Sequence, residues 1–165
     1  MWLLVCSVIL LMRQLLTSHR RISDSLSQEH QAMRALAAAV AEGLPLETIC
    51  TRAVVQASKL LKGNGATIIR FDPDDEVTIL GAYNENTEST YLARTLKLDP
   101  HSEIAAVRRT GMPVRVDDYE GRTDVTAATV LAHGFRSWVG CPVHVRGRLW
   151  GTIAVVSAEP GGLPD

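Results

Sequence analysis

Cysteine is scarce in this chain, and its placement excludes several kinds of site. The three cysteines, Cys6, Cys50 and Cys141, are odd in number, far apart and never in a C-x-x-C arrangement. Cysteines spaced in this way do not predict a disulfide framework or a structural zinc site. A reduced, cytosolic setting therefore fits the folded part of the chain best.

An excess of charge of either sign is also lacking. The chain has 165 residues, of which 17 are basic and 18 acidic, for a net charge of −1. Bulk electrostatic attraction to nucleic acid is not expected at that charge, so we predict no nucleic-acid partner. The length is enough for one domain with a hydrophobic core and too short for two of ordinary size.

Loops that hold phosphates or calcium ions are missing too. The glycine-rich residues 63–65 follow a predicted helix, whereas a phosphate-binding loop follows a strand, opens a helix and carries a lysine. The acidic residues 72–75 lack the glycine and the distant glutamate of a calcium-binding loop. We therefore expect turns at both places and no metal site.

Residues 135–157 carry the strongest strand pattern in the chain. Apolar residues alternate up to Val145, and residues 149–156 are almost continuously apolar. This pattern predicts a β-hairpin that is covered on at least one face, with Gly147 supplying the positive φ that a short turn needs. Further strands are predicted at residues 66–71, 76–83 and 114–116, with a weaker one at 92–98.

Three helices are predicted in the same part of the chain. The apolar positions of residues 46–62 share one face, and Cys50 lies on that face, so we expect it in the core. A short helix is predicted over residues 101–110, capped by Asp99, and another from Asp124 to about residue 133.

Residues 1–16 form an apolar N-terminal segment. As a helix, its twelve most apolar residues would rise only about 18 Å, against about 30 Å for the hydrocarbon core of a bilayer. Arg13, Arg20 and Arg21 follow it, which would place the next domain on the cytoplasmic side. The segment is either a short or incomplete anchor at the inner face of the membrane, or the apolar end of a dimerisation helix.

Residues 17–43 are predicted to form a heptad-patterned helix. Apolar side chains recur at spacings of three and four up to Val40, interrupted by His19 and Glu29. Such a helix either packs on its own domain or joins two copies in a parallel homodimer. The order of apolar segment, heptad helix and domain favours the homodimer.

Three tracts within residues 44–165 resemble a GAF domain. They are residues 65–71, residues 105–119, and residues 137–143 together with 147–151. The likeness is strongest to GAF modules of actinobacterial sensor histidine kinases and related signalling proteins.

The resemblance implies an α+β fold of the GAF-like, PAS-related kind. A central antiparallel sheet would carry helices on one face, and a pocket-forming α/β segment, residues 83–134, on the other. GAF domains usually finish with a helix beside the first one. The chain stops at residues 163–165, where that helix would begin, so the resemblance suggests a C-terminally truncated domain.

The function implied by the resemblance is that of a non-catalytic sensory module. Such modules bind a small ligand or sense redox state, dimerise through their terminal helices and bias an output domain by population shift. The parent would be a bacterial two-component protein, with its kinase or other output domain outside this chain. The alternatives are a stand-alone GAF-fold redox enzyme that uses Cys141, and a ligand-free dimerisation module.

The residues expected to line the ligand pocket lie mostly in the pocket-forming segment. They are Tyr83, His101, Ile104, Arg108, Tyr119, His133 and, from the hairpin, Trp138. Arg108, Arg109 and Arg115 could bind an anionic ligand, although solvated arginines are the simpler interpretation.

The cofactor is left unknown by the sequence. The residue set of cyclic-nucleotide-binding relatives is missing, residues 83–134 offer no cysteine to a bilin, and Cys141 is alone where methionine sulfoxide reductases of this fold need several cysteines. Haem held through His101, His133 or His144 is a weaker alternative. We expect no catalytic residues and no metal ligands.

Overall fold

The computed structural model describes residues 24–85 and 94–164, so the predictions for residues 1–16 and for the start of the heptad helix lie outside it. The helices of the described parts are α1 (Asp24–Ala41), α2 (Leu46–Leu60), α3 (Glu103–Thr110) and α4 (Val125–Ala132). The strands are β1 (Gly65–Phe71), β2 (Glu76–Asn84), β3 (Thr95–Lys97), β4 (Val114–Val116), β5 (Ser137–Val145) and β6 (Arg148–Ser157). Within these ranges, none of the helices combines the length and apolar content that a bilayer crossing requires.

One antiparallel sheet organises the domain, with its strands in the order β3-β2-β1-β6-β5-β4. The predicted hairpin is confirmed as β5 and β6. Its two-residue turn places Arg146 at φ 53° and Gly147 at φ 74°. Positive φ at both positions is the geometry whose twist matches that of the paired strands. Within the described part of the weak strand predicted at 92–98, residues 94–98, the structure has β3 at the edge of the sheet.

The helix-side face of the sheet is the one that α2 covers. Cys50 and Val54 of α2 pack with Ile68 of β1 and Ile153 of β6 in a buried apolar core. Gly81 of β2 lets the helix approach, since a Cβ there would lie 2.6 Å from the carbonyl carbon of Cys50. The predicted core position of Cys50 is therefore confirmed.

The distal face of the sheet is covered by α3, by α4 and by the loop that joins the edge strand β4 to α4. Val107 of α3 and Ala127 of α4 pack with Tyr119, and with Trp138 and Ala154 of the central hairpin. This arrangement confirms the predicted α+β fold, with helices on one face and an α/β segment on the other.

Helix α1 packs on the outer side of α2. Ala32, Leu36 and Ala39 are almost fully buried, and Ala32 and Leu36 pack with Ala53 and Leu60 of α2. Their spacing of four and three residues forms one stripe along the helix. Over this stretch the heptad-patterned helix therefore packs on its own domain, and the homodimer stays a prediction.

Helix α3 begins two residues later than predicted. The Ser102 hydroxyl accepts the Ala105 N–H at 3.2 Å and so caps a helix that starts at Glu103. The carboxylate of Asp99 instead accepts the N–H of His101 at 2.9 Å, inside the preceding turn. Serine and aspartate are both good caps, and here the aspartate is used one turn earlier.

The packing of α1 yields a stability prediction. We expect Leu36→Ala to lower the free energy of unfolding by about 2–5 kcal/mol, because the side chain is removed from a closed core. Arg34→Ala is the control on an exposed position of the same helix and should change it by less than about 0.5 kcal/mol. Urea denaturation measures both.

The same measurement at several protein concentrations separates the two interpretations of this helix. Intramolecular packing predicts a loss that is independent of concentration. A loss that grows with dilution would place Leu36 in an interface between copies and contradict the packing described above.

Candidate functional site

Four side chains of the pocket-forming segment form a distal polar cluster: Glu103, Tyr119, Arg122 and Asp124. Glu103 lies in the first turn of α3, and Tyr119 and Arg122 lie in the loop between β4 and α4. Asp124 is the cap of α4, since one carboxylate oxygen accepts the Ala127 N–H at 2.9 Å. The cluster therefore joins the starts of two helices to the loop between them.

Arg122 connects the cluster. Its Nη1 lies 2.8 Å from Oε1 of Glu103, and its Nε donates to Oδ2 of Asp124 at 2.9 Å. Its guanidinium carbon lies 5.1 Å from the centre of the Tyr119 ring. The Ala127 N–H and then Arg122 hold the pKa of Asp124 below its usual range, so this carboxylate is ionised at neutral pH.

Two polar atoms of the cluster are buried without a partner. Glu103 is 6% exposed and Tyr119 is 0% exposed. Neither Oε2 of Glu103 nor the hydroxyl oxygen of Tyr119 makes a well-aligned hydrogen bond with the described residues. A buried polar group left in that state costs about 1–3 kcal/mol. The two side chains are neighbours, so a ligand or water molecule placed between them would bond to both atoms.

The charges of the cluster define what that group can be. Two carboxylates and one guanidinium sum to a formal charge of −1. Burial, then the charge of the neighbouring Glu103 and a hydrogen-bonding interaction with its carboxylate, raise the pKa of Tyr119 well above its usual range, so the phenol stays protonated. The free positions are thus a carboxylate acceptor and a hydroxyl. They suit a group with N–H or O–H donors and disfavour an anion.

Three of the predicted pocket residues meet at this place. Ile104, Tyr119 and Trp138 belong to one apolar cluster on the distal face. Trp138 is 6% exposed and comes from β5, so the hairpin forms the floor of the site.

Arg108 holds α3 to the β1–β2 turn and is not simply solvated. Its Nη2 donates to the carbonyl of Asp72 at 3.1 Å, and its Nη1 lies 3.4 Å from Oδ1 of Asp75. Its guanidinium carbon is 5.6 Å from the centre of the Phe71 ring. Arg108 therefore positions α3 beside the site.

Tyr83 lies on the opposite face of the sheet, against the helix-side core. The cause is a β-bulge. Ile69 pairs with Ile79 and Ile68 pairs with Gly81, so Leu80 is an extra residue in β2. Strict alternation from Ile79 would direct Tyr83 to the distal face, and one inserted residue reverses that direction.

The histidines do not join the site. His101 and His133 are exposed, and the Nδ1 of His133 lies 2.7 Å from the carbonyl of Thr129 at the end of α4. His30 and His144, the remaining histidines of the described ranges, are exposed as well. Haem needs an axial ligand directed into an apolar pocket, so these residues do not fit it. Nor do the described residues bring together three His, Cys, Asp or Glu side chains that could hold a metal ion.

Glu103, Arg122 and Asp124 were not among the predicted pocket residues. A usable pattern was present for Glu103, which is four residues before Val107 and therefore shares the buried stripe of α3. A charged residue on an apolar stripe is a better indicator of a site than the exposed histidines. Arg122 has no comparable pattern, because it lies in a loop.

Both described cysteines lie on the helix-side face, away from this cluster. Burial, with a smaller contribution from Glu47, raises the pKa of Cys50 to about 12. Burial raises the pKa of Cys141 to about 11. At neutral pH both are protonated thiols within the core, which is unlike the exposed thiolate of a redox sensor.

A six-stranded antiparallel sheet with helices on one face and a short α/β segment on the other is the architecture of a sensory-domain fold. The family model of the GAF domain matches residues 45–164, and the chain belongs to the GAF domain family. No curated protein sequence matches it significantly.

Solved structures share the fold at low sequence identity. The phycocyanobilin-bound GAF domain of a cyanobacterial phytochrome matches with a TM-score of 0.62 and 20% identity, over 79% of this chain and 80% of the other. A bacteriophytochrome of R. palustris matches with a TM-score of 0.67 and 13% identity, over 86% of this chain and 34% of the other. The GAF domain of an Acinetobacter phosphoenolpyruvate-protein phosphotransferase matches with a TM-score of 0.59 and 15% identity, over 79% and 77%.

The unpartnered hydroxyl of Tyr119 yields a second prediction. In the ligand-free protein, Tyr119→Phe should leave the free energy of unfolding within about 0.5 kcal/mol or raise it, because the hydroxyl makes no well-aligned hydrogen bond within the chain. The matched control is Thr152→Val, which removes a buried hydroxyl that donates to the carbonyl of Cys141 at 2.9 Å.

The control should cost about 0.5–1.5 kcal/mol, the usual contribution of one intramolecular hydrogen bond. Urea denaturation compares the two variants. A loss above about 1 kcal/mol in Tyr119→Phe would show that the phenol already has a partner within the chain.

Proposed function

We propose that this chain is a non-catalytic sensory module that binds a small ligand at the distal polar cluster. The observation that carries the proposal is the buried pair formed by Oε2 of Glu103 and the Tyr119 hydroxyl, both without a partner among the described residues. Ligand binding can recover the free energy that their isolation costs, about 1–3 kcal/mol for each group. Membership of the GAF family supports a sensory role for such a site.

The ligand that fits this site presents N–H or O–H donors, as an amine or an amide does. It would bond to Glu103 and Tyr119 and place its apolar part against Ile104 and Trp138. Pockets for small molecules commonly combine an apolar lining with a few such polar groups. Because Glu103 is buried, its bond to a cationic donor would be stronger than a bond at the surface.

A covalently attached bilin is not supported for this chain, although one of the similar structures is bilin-bound. Cys50 and Cys141 are buried on the helix-side face, and burial raises the pKa of both thiols. The same features weigh against a stand-alone redox enzyme that uses Cys141, because attack by a thiol requires an accessible thiolate.

In its cell the module would serve a two-component signalling protein of the sensor histidine kinase type, with copies meeting through the side of the heptad-patterned helix that does not pack on α2. The order of an apolar segment, a heptad-patterned helix and a GAF domain supports this proposal. Residues 1–16 would attach the domain to the inner face of the membrane, and residues 17–43 would join two copies in a homodimer. The output domain would lie outside this chain, and the ligand would act by binding one arrangement of the helices better than the other.

A ligand screen tests the proposal. The purified protein is screened by thermal shift against a library of amines, amides and amino acids, and the affinity of each hit is measured by calorimetry. We expect Glu103→Gln and Tyr119→Phe each to weaken binding by about tenfold or more, because each removes one bond to the ligand. His101→Ala, an exposed position just before α3, should bind as the unmodified protein does.

Two outcomes would contradict the proposal. A hit whose affinity is the same in both variants would bind elsewhere on the protein. The absence of any hit, together with a stable dimer, would favour a ligand-free dimerisation module. Circular dichroism of each variant establishes that a lost shift reflects binding and not unfolding.

A further inference from the structure

We infer that Arg115 couples the distal polar cluster to the C-terminal tail, which we define as residues 158–164. Its role in signalling rests on the proposed function, but the coupling itself is a mechanical property of the domain and requires no ligand. The coupling follows from the position of β4, which has the apolar cluster of Tyr119 on one side and the C-terminal tail on the other.

The guanidinium of Arg115 holds the tail through a two-pronged contact. Its Nη1 donates to the carbonyl of Pro164 at 2.7 Å, and its Nη2 donates to the carbonyl of Leu163 at 2.8 Å. Its Nε forms an ion pair with Asp117, which fixes the orientation of the planar group. A planar guanidinium can bond to two acceptors at once in a fixed direction, which an ammonium group cannot do.

Other contacts give the tail one defined position. The N–H of Gly161 donates to the carbonyl of Asp117 at 2.6 Å, and the hydroxyl of Ser137 donates to the carbonyl of Glu159 at 2.8 Å. The side chain of Leu163 is 3% exposed and packs in the helix-side core. The tail thus touches both the helix-side core and the segment that closes the distal face.

Strand β4 presents different chemistry on its two sides. Val114 and Val116 pack into the apolar cluster that contains Tyr119. Arg115 lies between them, and because successive side chains of a strand point to opposite sides, it points away from that cluster and toward the tail. A displacement of β4 from the ligand side must therefore move the two carbonyls that Arg115 holds.

The start of the loop after β4 is held in a fixed position relative to the sheet. Arg136 bonds to both carboxylate oxygens of Asp118 at 2.8 Å. Arg136, followed by the N–H of Glu120, lowers the pKa of Asp118 to about 2, so the pair persists at neutral pH. Tyr119 is the next residue, and its N–H donates to the carbonyl of Arg136 at 2.8 Å. The backbone from Arg115 to Tyr119 is therefore held as one short segment, and a shift of Tyr119 is passed on to Arg115.

The position of the tail matters because it follows the last strand of the domain. The direction in which any following segment leaves the domain is set by where the tail is held. A ligand that shifts Tyr119 would change that direction through Arg115, without unfolding the sheet.

Amide hydrogen exchange, read residue by residue with NMR, tests the contact. In Arg115→Ala the N–H of Gly161 should exchange about tenfold faster or more, as expected for the loss of bonds to a charged donor. The N–H of Ile153, within β6, should be unchanged, which separates release of the tail from global unfolding. Arg115→Lys should give an intermediate exchange rate at Gly161. Arg109→Ala, on an exposed position of α3, should leave that rate unchanged.

A second pair of variants tests the coupling. Val116→Ala reduces the packing of β4 on the ligand side and leaves Arg115 and its two bonds to the tail in place. Val130→Ala removes the same atoms from α4 in the same apolar cluster. We expect faster exchange at Gly161 in Val116→Ala and an unchanged rate in Val130→Ala.

The outcomes are distinct from those of the ligand screen. Unchanged exchange at Gly161 in Arg115→Ala would overturn the contact. Equal exchange at Gly161 in Val116→Ala and Val130→Ala would overturn the coupling through β4. Failure to find a ligand would alter neither result, so the proposed function and this inference can fail separately.

Discussion

The pairing of β1, β6 and β5 at the centre of the sheet is the constraint on which the rest of the structure depends. Along β6, Ile153 and Val155 point to the helix-side core, and Ala154 and Val156 point to the distal cluster. A slip of one residue would exchange the two sets, so the buried helix-side face fixes the register. The same register places Trp138 beneath the candidate site and Cys141 away from it.

The two faces consequently have different chemistry. The helix-side face is apolar and close-packed, and its two thiols are protonated at neutral pH because burial raises their pKa. The distal face is closed by the short helices α3 and α4 and by the loop after the edge strand β4, and arginines hold these elements in place. Arg122 connects the helix starts, Arg108 holds α3 to the β1–β2 turn, and Arg115 holds the tail. Ligand sensing is proposed for the face held by these polar contacts.

Much of the fold could be predicted from hydrophobic periodicity, because α2 and the β5–β6 hairpin each bury one continuous face. The site was less predictable. Ile104, Tyr119 and Trp138 lie in one cluster, as expected for pocket residues. The bulge at Leu80 turns Tyr83 to the other face, and no local sequence pattern predicts a bulge. The start of α3 was missed because Asp99 and Ser102 are equally good caps in sequence. Arg122 could not be predicted because its pairing with Glu103 is a tertiary contact between a loop and α3, whereas the position of Glu103 on the buried stripe of α3 was a usable signal that the prediction did not use.

The central claim is that a small molecule from outside the chain forms hydrogen bonds with Oε2 of Glu103 and with the Tyr119 hydroxyl. A high-resolution crystal structure of the protein, purified under native conditions, tests it most directly. The account predicts an N or O atom of a bound small molecule within about 3.5 Å of both Oε2 of Glu103 and the Tyr119 hydroxyl. A direct hydrogen bond from Tyr119 to Glu103, with no third group between them, would contradict it.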